Sequence, residues 1–186
     1  PTTGSSAYRI REGRQSVANA EANNGALTGR IKWTGLPGVE LAAVLQYQDD
    51  VTQGLGTAGT SSSATLFETH AAITRGPWGL RALYARWDLN GAAPAALGRD
   101  EQTGWYLEPS YKITPQLGIF ARYSESDSAA GSAGPADTEI QEIDFGVNYW
   151  PHEDVVFKFD IQNQTGGSGD GFTSADGFNL GVGYQF

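Results

Sequence analysis

The sequence FNLGVGYQF, residues 178–186, decides the fold of this chain. Apolar residues alternate through it with small or polar ones, without a break. One face of the segment therefore carries five apolar side chains: Phe178, Leu180, Val182, Tyr184 and Phe186. Because successive side chains of a strand point to opposite faces, this period of two predicts a β-strand with one apolar and one polar face.

The same alternation recurs in eight earlier runs, so the sequence predicts nine strands. They cover residues 27–33, 39–48, 67–73, 78–84, 105–113, 117–124, 142–149, 155–162 and 178–186. Residues 8–11 alternate more weakly, and a tenth strand and a loop are equally good interpretations of them. We therefore divide the chain into residues 1–24, a weak first strand and a loop, and residues 25–186, the strands of one domain.

The connections between the predicted strands alternate between short and long. The short ones all contain proline and cover residues 36–38, 76–77, 114–116 and 151–154. The long ones are rich in Gly, Ala, Ser, Thr and Asp and cover residues 49–62, 90–101, 126–137 and 165–177. This pattern predicts an antiparallel sheet with tight turns at one end and long exposed loops at the other.

The composition excludes several classes of function. The chain has 186 residues, with 12 basic and 21 acidic side chains and a net charge of −9, so it lacks the positive field that a nucleic-acid partner requires. The absence of cysteine excludes disulfides, thiolate metal sites and cysteine nucleophiles. No apolar run approaches the roughly 18 residues of a membrane helix, so a chain that enters a membrane does so with its strands.

Two architectures use two-faced strands: a soluble sandwich and a membrane barrel. Strands of about ten residues suit a tilted crossing of a bilayer. Aromatic residues also collect at both strand ends, as in the girdles that mark the headgroup level. Those next to the short turns are Trp33, Trp78, Tyr111, Tyr149, Trp150 and Phe186, and those next to the long loops are Tyr47, Trp87, Trp105 and Tyr123. We therefore predict an all-β, antiparallel transmembrane β-barrel, and solubility without detergent would support the sandwich instead.

The chain also resembles a known family. Its aromatic ending resembles the terminal strand of bacterial outer-membrane barrels, in which Phe178, Leu180, Val182, Tyr184 and Phe186 would form the assembly signal. The segments Arg11-Glu12-Gly13-Arg14, 27–33 and 36–41 resemble the downstream half of the porin O/P family, the phosphate-selective porins. The resemblance implies a trimeric, 16-stranded barrel of which these nine or ten strands are the carboxyl-terminal portion. That family's constriction loop lies in the other half, so phosphate selectivity does not carry over.

The polar faces of the predicted strands carry the candidate functional residues. Charges of both signs there are typical of the wall of a water-filled channel. The predicted pore-lining set is Arg30, Lys32, Glu68, His70, Arg81, Glu108, Lys112, Arg122, Asp144 and Lys158. Arg9, Arg11 and Arg14 with Glu12 form a local basic cluster, which is either a selectivity element or a solvated strand end.

The predicted function is passive diffusion of small hydrophilic solutes or ions across the bacterial outer membrane. Its partners would be outer-membrane lipid and lipopolysaccharide, the solutes, and two further copies in a homotrimer, with no nucleic acid. We expect no enzyme activity, no cofactor and no metal, because no GxSxG, HExxH or GxGxxG motif is present. The alternative is a small plugged barrel whose loops bind a partner in a structural or adhesive role.

Overall fold

The computed structural model describes residues 8–13, 22–55, 60–133, 137–167, 169 and 174–185. These residues form nine strands and one short helix. The elements are β1 (Ala26–Trp33), β2 (Val39–Gln48), β3 (Ala64–Arg75), β4 (Trp78–Leu89), α1 (Ala92–Ala96), β5 (Glu101–Thr114), β6 (Leu117–Asp127), β7 (Glu139–His152), β8 (Val155–Gly166) and β9 (Ala175–Tyr184). No helix in these ranges is long and apolar enough to span a membrane.

The nine strands form one antiparallel sheet in chain order, from β1 at one edge to β9 at the other. Each strand pairs with its sequence neighbours, and β1 and β9 do not pair with each other within the described residues. The predicted all-β, antiparallel fold with nine strands is confirmed. The sheet is open, so both of its edges present backbone groups without a partner strand among the residues described.

Burial on the two faces is the reverse of that in a soluble protein. On the apolar face, Ile31 is 79% exposed and Leu180 is 75% exposed. On the polar face, Glu108, Asp144 and Asp160 are only 7–8% exposed. In a single-layered sheet, side chains of one face crowd together when the sheet curves toward that face, so the polar face is the concave one.

Aromatic residues mark both ends of the apolar face, as predicted. At the tight-turn end, the rings of Trp78 and Tyr111 lie 4.6 Å apart between centroids. At the long-loop end, Trp105 and Tyr123 lie 5.3 Å apart. These tilted pairs join β4 to β5 and β5 to β6, so they also fix the register of the apolar face.

Two of the predicted girdle residues lie on the other face. Trp87 packs on the polar face against a small cluster of buried residues that includes Val51 and Leu89. Trp150 shares the polar face of β7 with Asn148, because Tyr149 continues the apolar face. An aromatic residue next to a turn can lie on either face, and position along the strand alone does not distinguish the two. Phe186 is outside the described residues.

The short turns that hold the strands together need glycine at two points. Gly38 has a φ of 75° and Gly76 a φ of 57°, both in the left-handed region. The amide of Thr74 donates to the carbonyl of Gly38 at 2.7 Å, which links the β1–β2 turn to the end of β3. A Cβ at residue 38 would collide with the carbonyl oxygen of Thr74, so both space and φ require glycine there.

Of the two interpretations of residues 8–11, a tenth strand or a loop, the structure shows the loop. Residues 8–13 make a turn in which the amide of Gly13 donates to the carbonyl of Arg9 at 3.0 Å, and Tyr8 has a φ of 68°. Side chains of the sheet take up the polar groups that a strand would have paired with a neighbour. The alternation of Tyr8 and Ile10 reflects packing against the sheet rather than membership of it.

The loop after β2 is organised around one carboxylate. Asp50 accepts hydrogen bonds from the amide and hydroxyl of Thr52 at 2.9 and 2.7 Å, from the amide of Ser62 at 3.2 Å, and from the amide of Gly54 at 3.1 Å. Burial raises the pKa of Asp50, but the hydrogen bonds outweigh it and hold the pKa below the ordinary 3.8. The carboxylate form is therefore part of the folded loop.

Candidate functional site on the polar face

The ten residues predicted to line a pore all lie on the polar face of the sheet. The strand register places some of them directly opposite one another on adjacent strands. Arg81 pairs with Glu108, and Arg122 pairs with Asp144. Eight of them form three groups along the sheet, whereas Lys112 lies over the Trp150 ring and Asp144 pairs in register with Arg122. Whether they line a pore stays a prediction, but their common face is a property of the structure.

The first group lies on β1, β2 and β3 and is centred on Glu40. Its carboxylate lies 3.2 Å from the ammonium of Lys32, 3.5 Å from the guanidinium of Arg30 and 3.6 Å from Nε2 of His70. Nδ1 of His70 lies 2.9 Å from Glu68. His70 therefore lies between two carboxylates, and the group balances two permanent cations against two anions.

The second group lies on β4, β5 and β6 and is centred on Glu108. Nε of Arg122 donates to Glu108 at 2.9 Å, and a second guanidinium nitrogen contacts the same carboxylate oxygen. The guanidinium also lies 4.6 Å from the centre of the Tyr106 ring. Arg81 reaches the other oxygen of Glu108 at 3.5 Å, with its side chain 66% exposed. One carboxylate thus has a close cationic partner and a looser, solvated one.

The third group lies on β6 to β9. Asn179 donates to Asp160 at 2.8 Å, and the ammonium of Lys158 lies 3.9 Å from the same carboxylate. Lys158 also lies 4.6 Å from the centre of the Phe120 ring, which is 6% exposed. Gly146 makes room for that ring, because a Cβ at residue 146 would collide with it.

Sequence reasoning missed two aromatic residues of this face, Tyr106 and Phe120, and assigned a third, Trp150, to the girdle of the apolar face. Each lies within 5.0 Å of a cationic group, measured from the ring centre, with Arg122, Lys158 and Lys112 as the respective partners. The signal was present in the alternation, since Phe120 lies between Ile119 and Ala121 of the apolar face.

The turn of residues 8–13 lies on the polar face at the long-loop end. Nε2 of Gln102 donates to the carbonyl of Tyr8 at 2.7 Å, and the amide of Ile10 donates to Oε1 of Gln102 at 3.2 Å. The hydroxyl of Tyr8 donates to the carbonyl of Thr60 at 2.7 Å. A cavity of about 430 Å³ lies between part of the turn and the sheet, beside these contacts.

Of the predicted basic cluster, Arg9, Arg11 and Glu12 line that cavity, and Arg9 forms an ion pair with Glu12 at 3.1 Å. Arg14 is outside the described residues. The cluster is therefore held over the polar face and is not at the end of a strand.

One group of potential metal ligands occurs within the described ranges. His152, Glu153 and Asp154 bring one ligand atom each to within 4.8 Å of one another in the β7–β8 turn. All three side chains are exposed, and acidic turns of this kind occur commonly without an ion. We assign no metal site to this turn.

No protein-family model and no curated protein sequence matches the chain. Solved structures do match it. Outer-membrane expressed OmpT of Vibrio cholerae superposes with a TM-score of 0.59 at 13% identity, over 87% of this chain and 57% of that one. The chain has the fold of an outer-membrane β-barrel.

Two further structures of OmpT superpose on the chain to a similar extent. The loop L8 deletion mutant of OmpT gives a TM-score of 0.57 at 16% identity, over 83% of this chain and 51% of that one. OmpT folded in vitro gives 0.56 at 13% identity, over 87% and 55%. The chain spans just over half the length of these barrels, and the likeness concerns the fold.

Proposed function

We propose that this chain forms part of the wall of a water-filled barrel in the bacterial outer membrane, through which small hydrophilic solutes or ions diffuse passively. The observation that carries the proposal is the contrast between the two faces of the sheet. One face carries large apolar side chains in the open, with Ile31 79% and Leu180 75% exposed, as contact with lipid requires. The other face carries cations and carboxylates in ion-paired groups, as the wall of an aqueous channel does.

The proposal requires closure of the sheet. Backbone groups at an open edge have no hydrogen-bond partner in hydrocarbon, which makes an open sheet unstable in a bilayer. We infer that further strands pair with β1 and β9. This agrees with the length of the matching barrels and with the 16 strands that the porin O/P resemblance implies.

The same proposal assigns partners to both faces. The exposed Leu, Ile, Val and Phe side chains of the apolar face would contact lipid, and the aromatic pairs at its ends would contact the headgroup level. Lipopolysaccharide would lie at the long-loop end. Assembly as a homotrimer rests on the family resemblance alone.

The test is reconstitution of the protein, as extracted in detergent from its membrane, into planar lipid bilayers and liposomes. We expect stepwise increases in conductance and swelling of the liposomes in a small sugar. Folded protein that produces neither would overturn the pore.

The plugged barrel remains the second candidate, because the turn of residues 8–13 covers part of the polar face. Folded protein without conductance, whose loops retain a binding partner, is the outcome that favours it. A turn that only narrows the passage leaves measurable conductance.

A further inference from the structure

A cavity of about 340 Å³ lies on the polar face at the tight-turn end, away from the turn of residues 8–13. Strands β3 to β7 line it. Its polar and aromatic lining residues include Arg81, Ser110, Lys112, Phe120, Asn148 and Trp150. The cavity brings cations and rings together in one place.

The charged groups of this cavity favour an anion. Its lining holds two cations, Arg81 and Lys112, and one carboxylate, Glu108. Glu108 is already held by Arg122, which donates to it from two nitrogens. The guanidinium of Arg81 is mostly exposed, and no carboxylate of the described residues lies within 4.0 Å of the Lys112 ammonium. Both cations can therefore bind a carboxylate or phosphate that enters.

The aromatic groups favour a ligand with a planar ring. The Trp150 ring lies over Gly118, where an added Cβ would approach it to 3.1 Å, so glycine makes room for the ring to lie against the sheet. The Lys112 ammonium lies 5.0 Å from the ring centre. Phe120 lines the cavity beside it. Phe120 is buried, but Trp150 is only half-buried, so the ring of a small molecule can contact the exposed part of Trp150 while its anionic group pairs with Lys112.

The chemistry of the wall separates two kinds of anion. An inorganic anion uses only the cations and the polar hydrogen atoms of Ser110 and Asn148. An arylcarboxylate uses these groups with its carboxylate and contacts the exposed part of Trp150 with its ring. Its ring also displaces water from apolar surface, which adds to binding.

We propose that this cavity is a binding site for small aromatic carboxylates on the polar face of the barrel. The proposal deepens the proposed function and rests on it for access of the ligand through the lumen. It places the site at the tight-turn end, where Arg81 and Glu108 of the charged group on β4–β6 form part of its wall. Binding is by contact alone and involves no covalent step.

The test compares the binding of benzoate, acetate and inorganic phosphate to the detergent-extracted protein. Fluorobenzoate binding is followed by fluorine NMR in detergent micelles, with the other anions as competitors. We expect benzoate to compete far better than acetate or phosphate. Arg81→Gln and Lys112→Gln should each weaken binding about tenfold, which is the loss of one charged hydrogen bond. Trp150→Leu should weaken benzoate about fivefold and leave the weaker binding of acetate unchanged.

Lys32→Gln is the matched control, because Lys32 lies on the same face but is paired with Glu40 outside the cavity. Equal competition by benzoate and acetate would overturn the proposal, as would an unchanged benzoate affinity in Trp150→Leu. The proposed pore is tested separately, by conductance in bilayers. Benzoate binding in micelles without conductance would support the binding site and contradict the pore. Conductance without benzoate binding would support the pore and contradict the binding site.

Discussion

Arg122 on β6 donates to Glu108 on β5 from two guanidinium nitrogens that converge on one carboxylate oxygen. Glu108 is 7% exposed, and the ring of Tyr106 flanks the guanidinium on the same face. Arg81 reaches the carboxylate from the other side at 3.5 Å, largely in solvent. The two arginines of this group therefore have different roles. Arg122 compensates a buried charge, and Arg81 contributes a solvated one.

The first prediction concerns stability. Arg122→Gln removes the close partner of the Glu108 carboxylate, and we expect a loss of roughly 1.5–3 kcal/mol, the range for hydrogen bonds to a charged group. Arg81→Gln removes an exposed pair, and we expect a loss of less than about 1 kcal/mol. Chemical unfolding from phospholipid vesicles measures both. Equal losses in the two variants would contradict the assignment of roles.

The second prediction concerns ion preference. Arg81→Glu replaces a solvated cation of the polar face with an anion, so we expect the reversal potential under a salt gradient to shift toward cation preference. The control is Arg86→Glu, because Arg86 pairs with Asp88 and Glu101 at the long-loop end of the apolar face. A reversal potential that changes equally in both variants would show that Arg81 does not face the conducting path.

The sequence alone predicted every strand and the face of most of its residues, because period two is set by the backbone and persists wherever one face is apolar. Strand ends were less predictable. Strand β5 begins at Glu101, four residues before Trp105, since pairing with β4 continues where the side chains are already polar. No alternation of apolar residues marks that extension.

The contacts within the polar face were beyond sequence reasoning. Which cation meets which carboxylate depends on register, and register depends on turn geometry and bulges such as the one between Lys112 and Thr114. The position of residues 8–13 depends on Gln102, a residue more than 90 positions away along the chain. A local pattern carries no information on such a partner.

The third prediction tests the apolar face with two neighbouring residues. Leu45 lies on the apolar face of β2 and is 58% exposed, whereas Gln46 lies on the polar face. Leu45→Lys places a charge in hydrocarbon, and we expect a cost of about 2–4 kcal/mol if residue 45 lies near the bilayer midplane. Gln46→Lys should cost less than about 1 kcal/mol, because its ammonium stays in water. Folding titrations into vesicles compare them, and a similar cost for both would mean that the apolar face does not contact lipid.

The fourth prediction concerns the loop around Asp50 and its dependence on pH. The pKa of Asp50 is lowered in the folded protein, so its stabilising effect is complete above the ordinary value of 3.8 and is lost as the pH falls below it. We expect the amides of Thr52, Gly54 and Ser62 to exchange with solvent faster in Asp50→Asn at neutral pH, and in the wild type only at acid pH. Hydrogen exchange followed by NMR in micelles measures this.

The control for the loop is Asp49→Asn, because Asp49 is the neighbouring carboxylate and its side chain is exposed. It should leave the three amides protected. If protection in the wild type persists well below pH 3.8 and is unchanged in Asp50→Asn, the carboxylate does not organise the loop.

The last prediction concerns the turn of residues 8–13 and its anchor. Gln102 binds the carbonyl of Tyr8 and the amide of Ile10, so Gln102→Leu keeps side-chain bulk but removes both hydrogen bonds. We expect faster exchange of the Ile10 amide and a larger single-channel conductance, because the turn then leaves the polar face more often. Gln46→Leu is the control, since Gln46 lies on the same face and accepts a hydrogen bond from the hydroxyl of Thr28. Rapid exchange at Ile10 with unchanged conductance would mean that the turn lies beside the conducting path and does not narrow it.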